Sequence, residues 1–271
     1  MSAIGRVAKR IVRSLGYDLR RRSAHYACHL HPFPDQRAIF SRRPPGVILD
    51  VGANIGQSVA RYRWLFPDAT IHSFEPVPEA FEQLRRSAAG DERVHVWQLA
   101  VGDTSGVVRF HSNRMSDTSS LLATQPSKAD DAYLGTKVVL EVPSKTLDEF
   151  CAEQAIASAS ILKLDVQGGE GLVLAGARRL LARQAVDLIL TEVWFDAPYV
   201  GAPHFCEIDA VLRAVGYTLY GMYFGPHQYE NIPIFTADAI YLNAETVGQL
   251  DRECRAVSRG LAGEYTALFG E

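Results

Sequence analysis

Short unbroken apolar runs alternate with stretches of helical spacing along the middle of this chain. Val47, Ile48, Leu49 and Val51 form one such run, which stops at a turn holding Gly52 and Gly56. The run predicts a buried parallel strand at 47–51, and Val59, Tyr62, Leu65 and Phe66 predict a helix at 57–66. The same alternation continues as strand 70–74, helix 78–89 and strand 94–99, with Ala100, Val101, Gly102 and Asp103 at the third strand's C-terminal end. Beyond it the pattern changes: Val107–His111 and Lys137–Val142 alternate as antiparallel strands do, and the polar segment 112–136 between them reads as an inserted lid. The parallel pattern then resumes with a short helix at 147–154, strand Ser160–Val166, a helix from Gly171 to Arg183 and strand Val186–Val193. Helix 205–214 and the strands 217–224 and 239–243 close the sheet with an antiparallel edge. The fold expected is a doubly wound α/β domain at 46–244, preceded by a basic helix and linker (1–45) and followed by a helical tail (245–271).

In such sheets ligands bind outside the carboxyl ends of the strands, so the residues there are the candidates for chemistry. The turn after the first strand reads Asp50-Val-Gly52-Ala-Asn54-Ile-Gly56. Its glycines admit a close ligand, but the middle glycine of a dinucleotide fingerprint is replaced by Asn54, which suits a nucleoside without phosphates. S-adenosylmethionine is the commonest cofactor of that kind. Glu75 ends the second strand, where an acid can receive two ribose hydroxyls, and Ala100 and Val101 offer backbone groups to an adenine edge. Asp165 and Glu192 end two further strands and aim at the same crevice, an arrangement costly to bury for packing alone. Between Glu192 and the next helix runs an aromatic loop with Trp194, Tyr199 and His204.

Charge and cysteines narrow the picture. At 271 residues and a net charge of -3 the chain holds one main core and no nucleic-acid-binding surface. Four separated cysteines, Cys28, Cys151, Cys206 and Cys254, suggest neither a zinc site nor a disulfide framework, so a reducing cytoplasm fits best. His25, His29 and His31 near Cys28 read as linker residues among prolines. Residues 1–22 carry seven basic side chains against Asp18, with Ile4, Val7, Ile11 and Leu15 at helical spacing. A solvated helix packed on the domain is the favoured reading, and peripheral contact with an anionic membrane surface is the alternative. The tail, with Val247, Leu250, Cys254 and Val257 on one face, would dock on the domain or on a second copy as a homodimer.

Taken together, these motifs resemble the FkbM family of S-adenosylmethionine-dependent methyltransferases. The resemblance runs from about Val47 to Asn243 through Asp50–Gly56, Phe74-Glu75-Pro76, Ala100–Asp103, Ser119-Ser120-Leu121, Thr146-Leu147-Asp148 and Leu162–Glu170. It implies a Rossmann-like class I methyltransferase sheet and O-methylation of a hydroxyl on a sugar in a glycolipid, polysaccharide or glycosylated natural product. Asp50, Gly52, Asn54, Gly56, Glu75, Ala100, Val101 and Ser120 would then hold the cofactor. Asp165, Glu192 or His204 would serve as the base that accepts the hydroxyl proton, with Glu170, Trp194 and Tyr199 on the substrate side. A divalent cation held by Asp165 and Glu192 stays open as an alternative and is not the expectation. The family usually carries glutamate where this chain has Gln167. That departure keeps open a non-catalytic cofactor-binding partner subunit. A nicotinamide-dependent sugar epimerase or dehydrogenase is the other rival, on the strength of Tyr133-x-x-x-Lys137, a spacing that needs a helix.

Overall fold

The structure is a computed structural model that describes residues 31–128, 132, 134–224 and 235–253. The expected basic helix 1–22, the histidines before His31, Tyr133, and the tail beyond residue 253 with Cys254 and Val257 lie outside the described residues.

The first described helix is α1 (Pro32–Ile39), followed by β1 (Val47–Val51), α2 (Gln57–Leu65), β2 (Thr70–Phe74), α3 (Pro78–Ser87) and β3 (Val94–Trp97). After the two-residue strand β4 (Ala100–Val101) come β5 (Gly106–Asn113) and β6 (Thr136–Lys145), then α4 (Leu147–Glu153) and β7 (Ala159–Leu164). Helices α5 (Glu170–Ala175) and α6 (Arg178–Ala182) lead to β8 (Val186–Trp194), α7 (Phe205–Ala214), β9 (Thr218–Tyr223) and β10 (Thr236–Leu242). A seven-stranded sheet has the order β3-β2-β1-β7-β8-β10-β9. All its pairings are parallel except those of β10, which runs against both β8 and β9. The C-terminal edge is thus antiparallel, as the pattern predicts.

Alternation along the strands fills two cores. Ile48, Ile161, Leu188 and Ile240 pack beneath α1, α2 and α3, whereas their neighbours Leu49, Leu162, Ile189 and Ala239 pack beneath α4 to α7. These side chains are essentially inaccessible, and burying each Leu or Ile contributes about 1.5–3 kcal/mol. Val247 and Leu250, in the helical residues 244–253, pack against the first core.

Three expectations change. Strand β3 stops at Trp97, and Ala100–Val101 leave the main sheet to pair with Ser144 and Lys145 of β6. The single helix expected at 171–183 is broken into α5 and α6 at Gly176, which packs on the carbonyl oxygen of Gly102, where an added Cβ would lie 2.0 Å away, and whose own carbonyl accepts from Asp148 N–H at 3.0 Å instead of from the helix. Asp148 caps the second piece, accepting from the backbone N–H groups of Arg179 at 2.8 Å and Leu180 at 3.0 Å. The segment expected as a lid begins and ends in strand: Ser112 and Asn113 belong to β5 and Thr136 to β6. Of the described residues between them, Ser120 and Ala123 are pinned by backbone bonds, to His111 and Val200. Lys137 stands on β6 rather than on the helix that a Tyr-x-x-x-Lys pair requires.

Candidate active site

The chain passes from β3 through the small sheet to β7, on the other side of β1, so the main sheet reverses direction between β1 and β7. A crevice opens at such a point. Here it is a cavity of about 430 Å³ at the carboxyl ends of the strands.

One end of the cavity is built by the glycine turn. Gly52, at φ +78°, faces the Asp165 carbonyl oxygen so closely that an added Cβ would lie 1.8 Å from it. Only glycine fits this position. The backbone N–H groups of Gly52 and Ala53 donate to the Phe74 carbonyl, which ties the turn to the end of β2. The next donor goes to an acid: Asn54 N–H reaches Glu75 Oε2 at 3.0 Å, and Val77 N–H reaches Oε1 at 2.9 Å. Burial pushes the Glu75 carboxyl up to about 7, against the pull of those two donors. Leu99, Ala100, Val101, Phe110 and Leu121 form an apolar slot beside it.

Beneath the turn, Asp50 is fully buried and accepts from Ser58 Oγ at 2.7 Å and Ser73 Oγ at 3.2 Å. Lys163, its neighbour across β1 and β7, stands 3.4 Å from Asp50 Oδ1, 3.3 Å from Asp165 Oδ2 and 3.3 Å from the Gly52 carbonyl. Burial works against the charged ammonium, but Asp165 and Asp50 outweigh it and hold Lys163 above the usual lysine value.

The other end is acidic. Asp165, Glu192 and Asp238 line it together with Gln167, and Asp238 lies directly across from Glu192 in the β8–β10 ladder. Burial raises Glu192 well above the ordinary carboxylate range, and the charges of Asp165, Glu170 and Asp238 add to the rise. Thr236 Oγ1 donates to Glu192 Oε1 at 3.2 Å. Asp238 opens on the cavity and is pushed up to about 6, by crowding first and Asp165 second. Arg61 and Phe33 close this end, with the guanidinium 5.1 Å above the phenyl ring.

Of the residues expected from sequence, Gly52, Asn54, Glu75, Ala100, Val101, Asp165 and Glu192 line this one cavity. Asp50 and Gly56 stand behind it: the first anchors Lys163, and the second starts α2 at φ +99°. Ser120 is wholly buried, its hydroxyl 3.4 Å from the Val166 carbonyl. The expected substrate contacts are revised. Glu170 turns inward to accept from Val166 N–H at 3.0 Å. Trp194 and Tyr199 are 8% and 1% exposed and pack edge to face, which leaves neither ring a free face for a sugar. His204 is revised as well, since its ring and Glu207 form a capping box at the start of α7, away from the cavity.

Sequence reasoning missed Lys163, Asp238, Arg61 and Phe33. A signal existed for two of them, because a lysine or an aspartate inside an otherwise apolar strand demands a partner. Arg61 and Phe33 arrive by tertiary packing alone. Among the described residues, no group of three or more His, Cys, Asp and Glu side chains is arranged to hold a metal ion, and no helix is long and apolar enough to cross a membrane.

Residues 50–219 match the family model described as the methyltransferase FkbM domain. The chain belongs to the FkbM methyltransferase family. Among curated relatives, the 2-O-methyltransferase NoeI of Sinorhizobium fredii is 31% identical over 148 residues, 52% of this chain and 61% of that protein. The 31-O-demethyl-FK506 methyltransferase FkbM of Streptomyces tacrolimicus is 32% identical over 229 residues, 73% of this chain and 80% of that protein. The match to the first relative therefore spans less than two thirds of its length. The solved N-terminal domain of EvdMO1 with SAH bound superposes with a TM-score of 0.42 at 12% identity, covering 90% of this chain and 97% of that one.

Proposed function

We propose that this protein transfers a methyl group from S-adenosylmethionine to a hydroxyl oxygen of a sugar or glycoside. The observation that carries the reading is the cavity's polarity along its length: a pinned Glu75 beside an apolar slot at one end, and a cluster of bases at the other. When bound, S-adenosylmethionine supplies an electrophilic methyl on a cationic sulfur. Glu75 has a lone pair left on each oxygen to receive ribose hydroxyls, and the slot of Leu99, Val101, Phe110 and Leu121 suits an adenine. The side chain missing at Gly52 lets the Asp165 carbonyl pack on the turn, which holds the ends of β1 and β7 together along the cavity wall.

An alcohol is a weak nucleophile until its proton has somewhere to go. Glu192 and Asp165 are the acceptors for that proton, and burial, which raises Glu192 well above the ordinary carboxylate range, makes it the stronger base once ionised. Holding the hydroxyl oxygen in line is worth roughly 7–11 kcal/mol by itself, and Asp238, Arg61 and Phe33 are placed to hold a polyhydroxy ring. The names of the two relatives specify methylation at oxygen, which supports the same choice of acceptor atom.

Calorimetry with S-adenosylmethionine, followed by mass spectrometry of sugars and glycolipids incubated with the full chain, tests the reading. Cofactor binding and a gain of one methylene unit on a hydroxyl are expected. Tight binding of a nicotinamide cofactor with none of S-adenosylmethionine, or methyl transfer confined to nitrogen, overturns it.

A further inference from the structure

The backbone of Gln167 is left-handed, with φ +56°, and this turns its side chain back over the ends of β7 and β8. Nε2 lies 3.0 Å from Asp165 Oδ1 and 3.1 Å from Glu192 Oε2. A primary amide carries two hydrogens on that nitrogen, so both carboxylates can be served at once. At the other end of the amide, Oε1 lies 3.0 Å from the Tyr199 hydroxyl, whose one hydrogen is shared with the Thr118 carbonyl at 2.9 Å, so the amide's orientation rests on the two carboxylates facing its nitrogen as well as on that hydroxyl.

Two carboxylates this close ordinarily share one proton, since the second charge is strongly disfavoured beside the first. Such a pair has lost one of its bases before any substrate arrives. Here two N–H donors face the pair instead. We propose that Gln167 is a positioning residue, whose carboxamide clamps Asp165 and Glu192 side by side, favours the ionised form of Glu192 and so keeps it ready to take the acceptor's proton. The inference rests on the methyl-transfer reading for its use, but the clamp can be measured without turnover.

The step it serves is balanced as follows. The acceptor oxygen forms a bond to the methyl carbon, the carbon–sulfur bond breaks with its electron pair going to sulfur, and the hydroxyl proton passes to Glu192. The charges around Glu192 oppose ionisation from several sides. Asp165 stands just after β7, Glu170 at the start of α5 and Asp238 on β10, whereas Lys163 on β7 and Arg61 on α2 act on Asp238 in the opposite sense. Among the described residues, Thr236 and Gln167 are the side-chain donors on Glu192 itself. A glutamate at 167 would remove one of them and add a further negative charge.

Carbon-13 titration of the side-chain carboxyl groups in the full chain, without added ligand, tests the clamp, with the Glu192 signal identified by its loss in Glu192→Gln. In Gln167→Met, which keeps the length and removes the donors, the Glu192 midpoint should rise by about one unit or more, and Gln167→Glu should raise it at least as far. A side chain that merely filled space would, once replaced, leave the midpoint in place or let water in and lower it. If Gln167→Met does not fold by circular dichroism, Tyr199→Phe, which removes only the hydroxyl that orients the amide, should give a smaller rise. An unchanged or lowered midpoint in the folded variants overturns the proposal. Failure of the wild-type chain to bind S-adenosylmethionine would overturn the functional reading instead, so the two failures are distinguishable.

Discussion

Glu75 and Asn54 are joined by a hydrogen bond of 3.0 Å from the Asn54 backbone N–H to the Glu75 carboxylate, so the acid that closes β2 is aimed by the turn that closes β1. Removing the acid should therefore weaken the cofactor and leave the turn in place. Glu75→Ala is expected to lower S-adenosylmethionine affinity roughly 10- to 100-fold, the worth of one or two hydrogen bonds to a charged group. Calorimetry reads this directly, and an affinity within twofold of wild type would remove Glu75 from the cofactor site.

The same carboxyl gives the binding a pH dependence. Its value is raised from 4.5 to about 7, so the folded chain without ligand holds this proton over a window where the unfolded chain has lost it. Stability from this group falls as pH rises between those values, because there the folded state binds more protons. Glu170, also at about 7, and Asp238, at about 6, act in the same sense. The ligand-free melting temperature should decline from about pH 5 to pH 7.5, whereas cofactor affinity should climb over that range as Glu75 ionises to receive the ribose hydroxyls. Melting curves with and without S-adenosylmethionine check both slopes.

Glu192→Gln keeps the shape and removes the base. Turnover should fall by roughly 10²- to 10⁴-fold, the usual contribution of a general base, with cofactor affinity retained. Single-turnover assays on the acceptor found by mass spectrometry give the comparison; equal losses in binding and turnover would place Glu192 elsewhere in the cycle.

His204→Ala separates cap from catalyst. Loss of the capping box should cost about 1 kcal/mol, a shift of about 2–4 °C in melting temperature, and turnover should stay within about twofold. A large loss of turnover at an unchanged melting temperature would return His204 to the list of bases.

Gly176→Ala probes the broken helix. Its Cβ would be driven to within 2.0 Å of the Gly102 carbonyl oxygen, and overpacking of that kind costs about 1–3 kcal/mol. Scanning calorimetry should show a melting temperature several degrees lower.

The strands were legible because their apolar runs are read directly from residue order, and Glu75, Asp165 and Glu192 were legible because each ends such a run. The break at Gly176 was not, since the helical period continues through it and the bonds that interrupt it go to the distant Asp148. Trp194, Tyr199 and His204 misled for a related reason. A polar or aromatic residue in a loop near a site has the same spelling whether it faces the ligand or the wall, and here Tyr199 spends its hydroxyl on Gln167 and Thr118. Asp238 was hidden by a strand boundary set three residues too late, although its register opposite Glu192 follows once β10 is extended.

Lys163 makes the two ends of the cavity answer to each other. A single ammonium reaches the glycine turn through the Gly52 carbonyl and the acidic end through Asp165. Any exchange at Asp165 will therefore be felt in the turn at the opposite end, so the two halves of this cavity are bound to drift together rather than one at a time.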